Sequence, residues 1–234
     1  MLYEDADLFA VDKQPGDIVV RGREGKAEPS LLDKLAKARK EKLYIVHRLD
    51  RGTSGVLIFA RNEDSHRVLN EAFEEGWVDK RYFVLVAGVP TEDEFTVDVA
   101  LLPARRGKMK PAVKADKGAK KALTRFKVLE RFERFALLEA KPETGRTHQI
   151  RVHLKYAGFP LAVDGQYSSN EKLTRGDLGS APAELVVLDR TPLHAASITL
   201  RHPKTKAPLK IDSPLPADLE KVLALLRVAV TPKT

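Results

Sequence analysis

One carboxylate, Asp50, stands between two arginines, Arg48 and Arg51, in the stretch Val46-His47-Arg48-Leu49-Asp50-Arg51-Gly52-Thr53-Ser54-Gly55-Val56-Leu57-Ile58. Flanking guanidinium groups favour the ionised carboxylate, the form that a nucleophile or base needs at neutral pH. A Gly/Thr/Ser turn follows and feeds a run apolar enough for a buried strand, which would hold the carboxylate on a rigid base. The same residues also fit a plainer role, a turn cap with a weak surface ion pair. A second charged group lies about a hundred residues on. Arg146, His148 and Arg151 crowd the start of a helix expected from Arg146 up to its stop at Gly158. Cations there oppose the helix dipole, so their placement calls for a bound anion or a carboxylate.

Other chemistries find less support. No second carboxylate stands out as a partner for Asp50, which disfavours a paired-carboxylate glycosidase. No Gly-x-x-x-x-Gly-Lys-Ser/Thr loop is present, which disfavours an NTPase. The six histidines are scattered and cysteine is absent, so no metal site and no thiolate chemistry are expected.

Several elements must position these groups. Leu8–Lys13 reads as a strand, with a turn at Gln14-Pro15-Gly16-Asp17. Ser30 fits an N-cap for a helix carrying Leu31, Leu32, Leu35 and Ala38, and Asn62 or Asp64 fits one for a helix carrying Val68, Leu69, Ala72 and Phe73. Tyr82–Val86 has the content of a buried strand. Ala122–Glu130 and Phe135–Ala140 read as paired strands. In the second charged helix Ile150, His153, Leu154 and Ala157 share the core-facing stripe, leaving His148, Arg151 and Lys155 on another. A last helix is expected over about 215–228. No repeat and no linker divides the 234 residues, so one domain is expected over 1–234.

The charge points to a partner. Lysine and arginine number 41 against 33 acids, a net +8, and a basic protein of this kind most often meets nucleic acid. Between 105 and 121 eight cations face one acid, and Gly107, Pro111 and Gly118 argue against a regular element. This basic arm or hairpin, with Arg105, Arg106, Lys108 and Lys110, suits phosphate contacts that position RNA without reading its sequence. The acidic start Met1-Leu2-Tyr3-Glu4-Asp5 does not resemble a signal peptide, and no run approaches a membrane span. A cytoplasmic protein with no membrane partner is expected.

The motifs also carry a resemblance. His47-Arg48-Leu49-Asp50-Arg51-Gly52-Thr53-Ser54-Gly55, Lys80-Arg81-Tyr82 and Glu143-Thr144-Gly145-Arg146-Thr147-His148-Gln149-Ile150-Arg151-Val152-His153-Leu154 resemble the RluA-type pseudouridine synthases. Smaller echoes are Pro160-Leu161-Ala162-Val163-Asp164 and Leu193-His194-Ala195-Ala196. The resemblance implies an α+β fold: a mixed, mainly antiparallel sheet flanked by helices and loops, with the active-site cleft across the sheet. It implies that Asp50 is the catalytic aspartate, that Tyr82 stacks on the target base and that Arg151 pairs with the catalytic carboxylate. It also implies that Arg48 enters the RNA to help expel the nucleotide, and Arg146 and His148 are taken as further RNA contacts.

The expected reaction turns uridine into pseudouridine in rRNA or tRNA, with a monomeric enzyme and no cofactor, since nothing is oxidised or hydrolysed. A non-catalytic RNA-binding or ribosome-assembly factor on the same fold is the alternative, followed by a nucleoside hydrolase. Against the family pattern, a catalytic domain with no S4 domain before it is expected, and Gln14 in the Lys-Pro element and Ala162-Val163 before Asp164 are departures.

Overall fold

The computed structural model describes residues 1–20, 28–112 and 116–230. They fall into two compact units, the first made of Met1–Lys80 with Ala195–Pro214, the second of Arg81–His194 with the chain from Leu215 onward.

In the first unit the apolar strand Ser54–Ala60 is buried along its whole length and pairs antiparallel with Leu8–Lys13, from Leu8 opposite Ala60 to Lys13 opposite Gly55. Tyr44–Ile45 pairs with Ser54–Ala60, and Tyr3–Glu4 with Leu8–Lys13. Helix α1 (Leu31–Arg39) starts where expected. Ser30 Oγ accepts the Asp33 N–H and the Asp33 carboxylate accepts the Ser30 N–H, which satisfies two exposed helix-end donors at once. Of the two caps offered for α2 (Glu63–Glu74), Asn62 is used, its Oδ1 accepting the Ser65 N–H at 2.8 Å. Leu193–Arg201 pairs with Pro208–Asp212, in register from Ser197 with Asp212 to Arg201 with Pro208. The core joins Leu8, Ala10, Val56, Ile58, Leu69, Val78, Ile198 and Ile211.

In the second unit four strands run antiparallel. Asp79–Ala87 pairs with Phe135–Pro142, which pairs with Leu123–Arg131, which pairs with Glu94–Asp98. Two helices follow in sequence, α3 (Gln149–Tyr156) and α4 (Ala217–Val230). The stripe Leu219, Val222, Leu223 and Leu226 of α4 is buried against Phe132, Phe135, Leu173 and Leu188. Each of the pairings named above is antiparallel. The mainly antiparallel α+β expectation holds.

Three readings need correction. Helix α3 begins at Gln149 rather than Arg146, because His148 sits at φ +54 and ends the preceding turn. Burial is not confined to the stripe of Ile150, His153 and Leu154: Gln149 through Leu154, Arg151 among them, are all buried, so α3 is enclosed around most of its girth. The arm at 105–121 is more regular than its glycines and prolines suggest. Leu101–Pro103 and Met109–Pro111 form a hairpin with the turn Arg105–Gly107 at its tip, and Leu101 also exchanges backbone bonds with Lys120 at 2.9 Å each way. Pro111 ends its strand, where its missing N–H is harmless. Lys114 lies outside the described residues.

Candidate active site

Asp50 opens a tight turn closed by the Thr53 N–H to the Asp50 carbonyl at 3.1 Å. That turn is laced to the loop after Leu8–Lys13. The Gly16 N–H donates to the Arg51 carbonyl (2.8 Å) and Arg51 Nε returns to the Gly16 carbonyl (3.1 Å). Beneath lies Lys13, only 1% exposed, whose Nζ donates to the carbonyls of Gln14 (3.0 Å), Arg51 (3.2 Å) and Thr53 (2.7 Å). A buried ammonium is tolerable only when its donors are used, and here they staple both sides of the Asp50 turn.

Gly55 closes the turn at φ +110, and a Cβ there would lie 2.3 Å from the Ala195 carbonyl oxygen, so no other residue fits without moving backbone. Asp50 is half-buried and Arg48 exposed, while Leu49 between them is buried and anchors the pair.

His47 is structural. Its Nε2 accepts the Ile58 N–H at 2.9 Å and its ring stacks on Phe73 at 4.6 Å. Burial, with the charge of Lys80 nearby, pushes its pKa down to about 3, so the imidazole is neutral.

In the second unit Arg151, 6% exposed, forms a two-pronged ion pair with Asp164, 2% exposed: Nε to Oδ2 at 2.8 Å and Nη2 to Oδ1 at 2.7 Å. Gln166 Oε1 accepts a further bond from Nη2 at 3.0 Å. Asp164 Oδ1 also takes the N–H groups of Gln166 and Tyr167 at 3.1 and 3.2 Å. A planar guanidinium gripped this way keeps its orientation as well as its charge. Asp164 is thus the carboxylate that grips Arg151 within this unit.

The α3 entrance is fixed by Gln149, whose Nε2 donates to the Leu123 carbonyl and Thr124 Oγ1, both at 3.0 Å, while its Oε1 accepts the Arg146 N–H at 3.0 Å. His153 is fully buried between Thr124 Oγ1 and the Val99 carbonyl, and burial lowers its pKa.

The remaining expected residues differ in setting. Tyr82, opposite Ala140 in its strand pair, is half-buried against the Val84–Leu138–Leu154 cluster. Arg146 is exposed, with Nε on the Lys121 carbonyl at 3.1 Å. His148 is half-buried, its Nδ1 2.7 Å from the Tyr167 hydroxyl. Arg105, Arg106 and Lys110 are exposed at the hairpin tip and Lys108 is half-exposed.

Sequence reading gave no role to Lys13, nor to Gln149 and Asp164, although both of these stand in the motifs that carry the resemblance. The Asp164-Gly165-Gln166 turn carries an Asx-turn pattern that could have marked Asp164. A lysine at the end of a strand reads as surface, and nothing local marks Lys13.

Comparison with known proteins bears on the chemistry. A family model described as RNA pseudouridylate synthase matches residues 7–156, which contain Asp50, Tyr82 and Arg151. A ribosomal large subunit pseudouridine synthase C of Vibrio vulnificus is 38% identical over 231 residues, covering 98% of this chain and 70% of the relative. An uncharacterized RNA pseudouridine synthase of Mycobacterium bovis is 39% identical over 235 residues, covering 97% and 72%. The solved structure of human RNA pseudouridylate synthase domain containing 4 superimposes with a TM-score of 0.77 at 28% identity, over 97% of this chain and 92% of that one. This chain therefore belongs to the RNA pseudouridylate synthase family. It is an isomerase acting on RNA.

Proposed function

We propose that the chain converts uridine to pseudouridine in large-subunit ribosomal RNA, as a monomer in the cytoplasm and without a cofactor. The observation that carries this reading is the unbroken match of residues 7–156 to the family, with the Asp50 motif complete. The choice of RNA rests on relatives named for the ribosomal large subunit, the Vibrio enzyme among them.

The reaction breaks the uridine N1–C1′ bond, turns the base and forms a C5–C1′ bond, while C5 gives up a proton and N1 takes one up. Atoms balance with no redox partner. Asp50 is the group that acts on the nucleotide. Arg48 helps displace the nucleotide from its stack, at a cost of a few kcal/mol. Tyr82 offsets about 1–3 kcal/mol of that by stacking on the freed base. Arg151, held by Asp164, supplies the fixed positive charge that the motif resemblance gives it. The exposed cations Arg105, Arg106, Lys110 and Arg146, together with the half-exposed Lys108 and His148, contact the RNA chain.

The test is tritium release from RNA labelled at uridine C5, with ribosomal RNA and tRNA as separate substrates. Wild-type protein releases tritium from ribosomal RNA and Asp50→Asn releases none. Undiminished release by Asp50→Asn would overturn the assignment of Asp50, and release from tRNA alone would overturn the choice of RNA.

A further inference from the structure

We propose that Tyr167 is a positioning residue that joins the basic hairpin at 101–111 to Arg151, its hydroxyl serving the hairpin and its ring serving the guanidinium. The inference rests on the reading of Arg151 and the hairpin given above and names the side chain that links them.

Tyr167 is 7% exposed and has an attachment on every side. Its hydroxyl accepts the Met109 N–H at 2.7 Å and meets His148 Nδ1 at 2.7 Å. Met109 is the first residue of the hairpin's return strand, while His148 is the residue immediately before α3. One hydroxyl therefore bridges the hairpin to the helix that carries Arg151.

The ring has a separate task. Arg151 Cζ lies 4.9 Å from its centroid, so the guanidinium rests on an aromatic face while Asp164 holds its edge. The Tyr167 N–H donates to Asp164 Oδ1, the oxygen that Arg151 Nη2 also uses. Leu101, Ala122 and Val152 enclose the ring, with Met109 packed against them, so hairpin and helix share one small apolar cluster with Tyr167.

These attachments give the hairpin tip a mechanical route to Arg151. Arg105, Arg106 and Lys108 sit in or beside the tip, one to four residues before Met109. A phosphate drawn to the tip shifts the Met109 N–H, and the hydroxyl that accepts it belongs to the ring under Arg151. Hydroxyl and ring are separable by substitution, which lets the two tasks be told apart.

Tyr167→Phe keeps the ring and removes the bridge. Backbone amide exchange at Met109 and Lys110, measured on the free protein, is expected to quicken about tenfold. The KM for RNA is expected to rise roughly fivefold with kcat within about twofold of wild type. Tyr167→Leu removes both tasks, and kcat is expected to fall at least about tenfold more than in Tyr167→Phe.

Unchanged exchange at Met109 in Tyr167→Phe overturns the bridge. Equal kcat in the two variants overturns the role of the ring. A Tyr167→Phe protein that loses kcat and KM together, in step with its melting temperature, overturns positioning in favour of plain packing. Should Tyr167→Leu not fold, Tyr167→Met, which fills the space without an aromatic face, takes its place in the kcat comparison. Exchange needs no substrate, so a wild-type protein inactive on every RNA would strike the proposed function while leaving the hydroxyl bridge to be decided on its own.

Discussion

Lys13 and Arg151 are both buried cations, one in each unit, and they are held in opposite ways. Lys13 meets three backbone carbonyls, whereas Arg151 meets a carboxylate and an amide oxygen in a planar grip. An ammonium is a compact point charge that can serve carbonyls in any direction, and here it gathers two stretches of backbone into one platform under Asp50. A guanidinium is a flat fork that fits one carboxylate, and here it is itself the object being aimed. The first cation orders the chain around it, while the second is ordered by its neighbours.

The contrast is sharpest under truncation. Asp164→Ala leaves the guanidinium buried without the carboxylate that grips it, and should destabilise the protein by about 3–5 kcal/mol in urea unfolding. A loss under about 1 kcal/mol would mean that the pair is not what holds Arg151.

Lys13→Met removes the charge together with its bonds. The Arg51 carbonyl keeps the Gly16 N–H, so the expected loss is smaller, about 2–3 kcal/mol. Tritium release should fall with it, through kcat, as the Asp50 turn loosens. If Lys13→Met proved the more damaging of the two in urea, the distinction between a platform and an aimed group would fail.

Acid should act on the first unit in two stages. His47 has a folded pKa lowered to about 3, against 6.5 when unfolded. Unfolded chains bind the extra proton in that window, so stability is full above pH 6.5 and declines as pH falls towards 3, by about 1–2 kcal/mol at pH 5.

Asp5 follows lower down. Although its desolvation alone would raise its pKa, hydrogen bonds from Tyr3, the Leu8 and Asp7 N–H groups and His202 hold it at about 2. Its contribution is present above about 3.8 and is lost between there and 2. Urea midpoints measured from pH 7.5 to 5 should drop in wild type and be flatter in His47→Gln. Parallel curves would remove His47 as the cause.

The candidate site was legible where local rules decide and illegible where burial does. Ser30, Asn62 and the α4 stripe follow from capping and periodicity alone, and the structure uses each of them. The Asp50 motif was readable because a glycine, a turn and an apolar run adjoin in sequence. The grip of Asp164 on Arg151 was not legible, because Asp164 lies thirteen residues on, across a turn that periodicity does not report. Lys13 was silent for the same reason, since its acceptors belong mostly to a segment 38 to 40 residues away. Two of the bounds between the compact units fall inside Asp79–Ala87 and Leu193–Arg201. Strands leave no linker composition to read.

That same routing sets an order of events on the ribosome. The unit containing Asp50 closes with residues 195–214, so more than a hundred residues of the other unit are synthesised before its last strands emerge. At about 5–20 residues per second, this is a delay of roughly 6–20 s. During that interval the strand Ser54–Ala60 lacks its final core neighbours Ile198 and Ile211. A fully buried apolar strand is therefore left waiting for part of its core, and the nascent protein needs shelter in the residues next to the Asp50 turn.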